Sequence, residues 1–234
     1  MVKSKFLKVL VAFLIALGIY GSVSPIQKSE AATTKAIVST HYFKGIKNLK
    51  YPQVSGLKSK TAQNKINSVL LTAVKTSYNE YVQTMNQEKY DKKHGYCTGE
   101  TCRYYWNSSY KVKYQSTGFI SILYSDDTYA GGAHGATVLT AYNFSLTTGK
   151  QYKINDILKT SSNYTKVRNY SYNALKSNKF YHQFLLVSKN DNFVTKDTQF
   201  YFGSNGIYLQ FQEYEVCAYA AGTPVVKIPY SVYK

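Results

Sequence analysis

Of 234 residues, 29 are Lys or Arg and 12 are Asp or Glu, a net charge of +17 at neutral pH. A 44% share of apolar residues is enough for a core, and 25 Tyr against 11 Phe and one Trp suit half-buried sheet faces, because tyrosine packs a ring yet keeps a hydroxyl for water or a ligand. No RNA- or DNA-binding motif accompanies the charge, which excludes nucleic acid as the expected partner.

Residues 1–31 read as an export signal. Lys3, Lys5 and Lys8 give a positive start, residues 6–23 form an apolar run, and Ser29-Glu30-Ala31 offers small residues at the −3 and −1 positions for cleavage after Ala31. The alternative is an uncleaved anchor, since a run of that length can span a bilayer. No cysteine adjoins it, which argues against a lipid anchor. Residues 1–31 hold four of the 29 basic and one of the 12 acidic side chains, so the remainder carries +14. Outside the cell that charge favours adsorption to teichoic acids and other polyanions.

Residues 36–43 alternate as a first strand, and residues 49–57 (LKYPQVSGL) follow as an extended segment. Ile66, Val69, Leu70, Ala73, Val74, Ser77, Tyr78, Tyr81, Val82 and Met85 recur at helical spacing and predict a long amphipathic helix over 60–88. The polar stretch 87–103 reads as surface and carries CTGETC. In an oxidising compartment Cys97 and Cys102 most simply close a small loop, with Gly99 supplying the bend. A zinc site would need two further ligands, and only His94 is near, so no metal is expected. Cys217 reads as a buried free thiol.

Residues 109–116 and 118–126 read as adjacent antiparallel strands, YAGGAHG (129–135) ends the pair, and 136–146 resumes the strand pattern. TTGK (147–150) turns the chain, 151–158 leads toward a second helix over 162–178, and 198–211 reads as a hairpin around Ser204-Asn205-Gly206. Residues 212–222 and 223–233 read as further strands. The order β-α-β-β-β-α-β-β-β predicts an α+β fold, an antiparallel sheet with two main helices packed on one face. The exported part divides as 32–108 (first strand, long helix, disulfide loop) and 109–234 (the C-terminal α+β region), or forms one continuous domain.

YPQVSGL (51–57), TAQNKIN (61–67), YAGGAHG (129–135), FQEYEVCAYAAG (211–222) and VVKIPYSV (225–232) together resemble the extracellular region of the RsiV anti-sigma-V factor family. That region is shared with accessory domains of some secreted polysaccharide deacetylases, and the resemblance runs from about Lys44 to Tyr233. It implies an α+β module that in one member type receives lysozyme and in others accompanies a wall-modifying catalytic domain. Only MVKSK precedes the apolar run here, and the sequence ends at Lys234 without a catalytic domain, so the expectation is the non-catalytic module by itself. Cys217-Ala218 stands where the family usually has Ala-Pro.

His134 is one of four histidines and is flanked by Gly131, Gly132 and Gly135. A nucleophilic dyad would need an adjacent Ser or Cys, and a metal site further ligands, so a structural turn is expected first, a binding loop second and catalysis third. Glu213 and Glu215 lie two apart on an expected strand and would share a face, which reads as a solvated or lysine-paired face before it reads as a carboxylate pair for glycan chemistry. Tyr104, Tyr105 and Trp106 beside the disulfide loop would suit a sugar-stacking platform, though a strand sends alternate rings to opposite faces. The candidate ligand-binding set is therefore Tyr129, His134, Tyr104, Tyr105, Trp106, Glu213 and Glu215, with no catalytic residue and no cofactor.

The expected protein is secreted, associated with the cell wall and non-enzymatic. Its partners would be peptidoglycan or teichoic acid, with no integral membrane segment once the signal is cleaved. A lysozyme-binding decoy or inhibitor is the alternative, weakened by the shared positive charge of common lysozymes. A wall-glycan hydrolase or deacetylase-like enzyme is the third reading.

Overall fold

Strand pairing in the computed structural model, which describes residues 35–234, produces three antiparallel sheets; the expected signal at 1–31 lies outside the described residues. Strands β1 (Ile37–Tyr42) and β2 (Lys50–Ser55) form a hairpin, and α1 (Lys60–His94) follows. Next come β3 (Tyr105–Gln115), β4 (Phe119–Tyr129), β5 (Ala136–Ser145) and β6 (Gln151–Tyr152), paired in that order. Helices α2 (Ile154–Ile157), α3 (Ser161–Ser177) and α4 (Lys179–His182) lead to β7 (Gln199–Gly203), β8 (Gly206–Gln210) and β9 (Val225–Pro229), which pair as a third sheet, and α5 (Tyr230–Tyr233) ends the chain.

The α+β class holds, with the strands divided among sheets. α1 lays Ala62, Ile66 and Leu70 on Ile120, Ile122 and Phe144 of the four-stranded sheet. Val167 and Leu175 of α3 pack with Phe200, Ile207, Leu209, Val226 and Ile228 of the three-stranded one. Each such buried Val, Leu, Ile or Phe side chain contributes roughly 1.5–3 kcal/mol.

The division has a local cause. β6 pairs with β5 only at Asn143 and Phe144. The edge of β5 beyond it is closed by side chains: Ala141 N–H donates to Gln199 Oε1 (2.9 Å), Leu139 N–H to Gln212 Oε1 (2.9 Å) and Thr137 N–H to Glu213 (3.2 Å). Gln212 Nε2 also donates to Leu139 O (2.7 Å), so one amide side chain supplies both bonds of a strand partner. β7 instead crosses the sheet's other face, where the buried Ser121 and Asn143 side chains bond the backbone of Phe202 (3.0 Å) and Phe200 (2.8 Å).

α1 is capped by the Ser59 side chain, which accepts from Ala62 N–H (3.1 Å), and it stops at Gly95, whose φ of 72° is left-handed. It runs six residues past the expected end because Gln87 bonds Asp91 (2.8 Å), Lys92 pairs with Glu88 (2.7 Å), and Lys92, Lys93 and His94 suit the negative helix terminus. The Cys97–Cys102 disulfide is formed and Cys217 is a buried free thiol.

Residues 212–222 correct the sequence reading. They form turns and a short 3-10 segment at Tyr219–Ala221, with a single strand-like bridge from Cys217 to Leu185. Val216 and Cys217 are consecutive and both fully buried, which a strand with one solvated face cannot accommodate.

Beneath α1, Asp126 of β4 accepts from Ser77 (2.9 Å), Ser108 (2.8 Å) and Trp106 Nε1 (3.1 Å), tying the helix to β3 and β4. Burial pushes its carboxyl above the ordinary range, against the three hydrogen bonds.

Candidate functional site

The β4–β5 connection, residues 130–135, needs its glycines. Gly131 has φ +90°, and a Cβ there would fall 2.6 Å from the Tyr104 hydroxyl; one on Gly135 would fall 2.6 Å from Thr128 O. The Tyr129 hydroxyl donates to Gly132 O (3.0 Å), folding the loop back on its own strand. Within that turn His134 Nδ1 lies 2.7 Å from Gly135 O, which assigns the proton to Nδ1 and leaves Nε2 able to accept.

Outside the loop the imidazole lies on Tyr219, ring centroids 3.9 Å apart and planes 23° apart. The Tyr214 hydroxyl is 3.4 Å from Nε2, and the Tyr214 and Tyr219 rings are stacked at 5.8 Å. Tyr214 is 54% exposed at φ +62°, a backbone state uncommon outside glycine that turns its ring toward the histidine. Gln212 and Glu213, bound to β5 as described, fix this turn against the sheet. On the β3 side Tyr105 stacks with Tyr129 (6.2 Å, 29°) and Tyr104 meets Tyr129 edge-on (6.0 Å, 83°). Tyr104 donates to Asp91 (2.7 Å), and that bond above all holds its phenol up to about 12.

The structure thus places His134 in a loop whose glycines touch Tyr129 and Tyr105, with Tyr104 bracing the loop and Glu213 bracing the facing turn. Two residues of the expected set are elsewhere. Trp106 follows the strand alternation to the opposite face, half-buried in the cluster of Leu49, Val74 and Tyr124 and bonded to Asp126. Glu215 does not share a face with Glu213: in the turn its half-buried carboxylate accepts from Gln212 N–H (2.7 Å), and burial raises its pKa. Tyr214 and Tyr219 were not singled out from sequence. Their signal is the break in alternation at Val216-Cys217, which marks a turn able to present flanking tyrosines on one side.

Chemically, the surface offers ring faces, phenol hydroxyls and an imidazole acceptor, a set that binds by stacking and hydrogen bonding. Among the described residues no three His, Cys, Asp or Glu side chains cluster as metal ligands, and no helix is long and apolar enough to cross a membrane.

Residues 39–137 match a family model described as deacetylase PdaC, and residues 151–231 match one described as a protein of unknown function, DUF3298. A curated relative, peptidoglycan-N-acetylmuramic acid deacetylase PdaC of Bacillus subtilis (strain 168), is 28% identical over 131 residues. That alignment covers 55% of this chain and 28% of the relative, so the chain spans under a third of the relative's length. The crystal structure of a DUF3298 family member from Bacteroides fragilis has a TM-score of 0.61 at 19% identity over 85% of this chain and 90% of that one, which shows a shared fold. A DUF3298 family protein from Pseudomonas aeruginosa PAO1 covers 84% and 90% at 15% identity with a TM-score of 0.46. The resemblance to accessory regions of deacetylases agrees with these two domain matches. His134 falls in the first matched segment and Tyr214 and Tyr219 in the second.

Proposed function

We propose that this chain is an exported, non-catalytic module of the cell envelope that binds wall glycan through Tyr105, Tyr129, His134, Tyr214 and Tyr219. The observation that carries the reading is the His134–Tyr219 stack with Tyr214 exposed beside it. Sugar rings bind on aromatic faces, and the exposed hydroxyls and Nε2 give such a ring hydrogen-bond partners. A relative named for peptidoglycan deacetylation points to the same polymer. In this reading the module is kin to the extracellular region of RsiV, with a glycan where that receptor type takes lysozyme. The basic charge retains the protein at the wall and is not the source of recognition.

Co-sedimentation with purified sacculi tests this. Binding is expected to survive removal of teichoic acid and roughly 0.5 M salt, where exposed charges are screened within a few ångströms. Tyr219→Ala should weaken it roughly tenfold, the loss of one stacking face. Binding that vanishes with teichoic acid or salt would reduce the effect to charge adsorption. Soluble fragments released by the protein, and lost on His134→Ala, would make it a hydrolase.

A further inference from the structure

The first hairpin has one closed edge and one open one. Asn67 of α1 closes the outer side of β2: its amide accepts from Val54 N–H (2.7 Å) and donates to Val54 O (2.9 Å). Val54 thus turns its main-chain groups away from β1, so its register partner Val38 turns its own away from β2. Thr40, two residues on, repeats that state. Among the described residues nothing bonds the main-chain N–H or C=O of Val38 or Thr40. Gln115 closes the start of this edge by donating to Ala36 O (2.6 Å), and Tyr110 meets Thr40 through its side chain alone.

Soluble proteins blunt an open strand edge with charge, proline or a bulge. β1 reads IVSTHY and has neither charge nor proline, and its pairing with β2 runs without a shift. Ile37 is 62% exposed and Tyr42 47%, with Ser39 and Thr40 exposed between them. Six residues of nearly uncovered strand are therefore presented to a further strand.

The charge around the edge selects the partner. From residue 35 to residue 79 the sequence holds eight lysines and no Asp or Glu. Lys35, Lys44, Lys47 and Lys50 flank β1, all are exposed, and none is in a salt bridge among the described residues. At the Tyr42 end, Tyr42, Gly45, Lys47 and Lys50 line an open recess of about 430 Å³. Pairing β1 with its counterpart in a second copy would bring like charges together, whereas an acidic segment is attracted.

We infer that β1 is a docking edge for an extended acidic segment of another protein. The segment adds a strand by bonding the main chain of Val38 and Thr40, and its carboxylates lie against Lys47 and Lys50 beyond Tyr42. None of these residues belongs to the glycan surface, so the test does not rest on that reading.

Fluorescence anisotropy with the full chain, in roughly 0.15 M salt, uses a short peptide of alternating Thr and Val between paired glutamates. Two relatives of that probe serve as controls: one with every central amide N-methylated, the other with lysines in place of the glutamates. Saturable binding of the probe is expected, at least tenfold weaker for each relative. Thr40→Pro removes an N–H that β2 does not use and should weaken the probe at least tenfold. Thr40→Val, which keeps that N–H, and Tyr219→Ala should leave it within twofold. Where Thr40→Pro unfolds the chain, the N-methylated relative decides. The inference is overturned if the probe does not saturate, if the lysine relative binds equally, or if folded Thr40→Pro binds like the parent. Equal binding of the N-methylated relative overturns it in favour of a polyanion surface such as teichoic acid would use. Self-association in sedimentation velocity that disappears in Thr40→Pro overturns it in favour of a second copy.

Discussion

Asp126 shows what a buried acid costs when its partners are neutral. Two serines and an indole donate to it, yet burial dominates and its pKa is raised. The folded state therefore holds this proton more tightly than the unfolded chain, and folding stability falls as pH rises from the ordinary carboxylate range, about 3.9, through the raised value. Asp156 has the opposite sign: Lys150 lowers its pKa, so its small contribution disappears on acidification. Denaturation of Asp126→Asn across pH 4 to 7 should show the variant gaining on the parent as pH rises. Asp126→Ala should instead lose about 2–3 kcal/mol at neutral pH, because the three donors are left without an acceptor. At this scale the sequence exposed half of the candidate surface. Glycines around His134 signalled a constrained turn and Tyr129 and Tyr105 flanked it, whereas Tyr214 and Tyr219 lie 80 and 85 positions on, and nothing local ties them to an imidazole.

Elements with a strong period were legible, and those that depend on distant partners were not. α1 was readable from its apolar face; its last six residues were hidden because polar pairs and a glycine cap, not apolar spacing, carry them. The strands of the three sheets were mostly located, but which edges pair is set by Gln199, Gln212 and Glu213, polar side chains that look like surface in one dimension. Residues 212–222 misled because tyrosines and small residues mimic a strand when the turn's tertiary bonds are unseen. The β5 edge makes this testable. Gln212→Ala removes both bonds to Leu139 and should cost about 1–2 kcal/mol in chemical denaturation. It also uncovers backbone at an edge, so concentration-dependent self-association should rise in sedimentation velocity.

Across the whole molecule, charge and stability are nearly uncoupled. The ion pairs among the described residues are Lys92–Glu88, Arg103–Glu100 and Lys150–Asp156, all with at least one well-exposed partner, and such pairs are worth little. Asp91, Asp126, Asp127, Glu213 and Glu215 bond to neutral donors instead, which leaves most lysines among the described residues without an acidic partner. Raising salt from roughly 0.05 to 0.5 M should therefore shift the melting temperature by no more than a degree or two while removing adsorption to anionic polymer; a large drop in melting temperature would show that the surface charges hold the fold together.

The stack of His134 on Tyr219 joins two stretches of chain that match two different family models. Neither stretch owns the contact. Exchanging one half for a distant cousin's could preserve both hydrophobic centres and still break that stack, so the contact depends on the two halves being matched to each other.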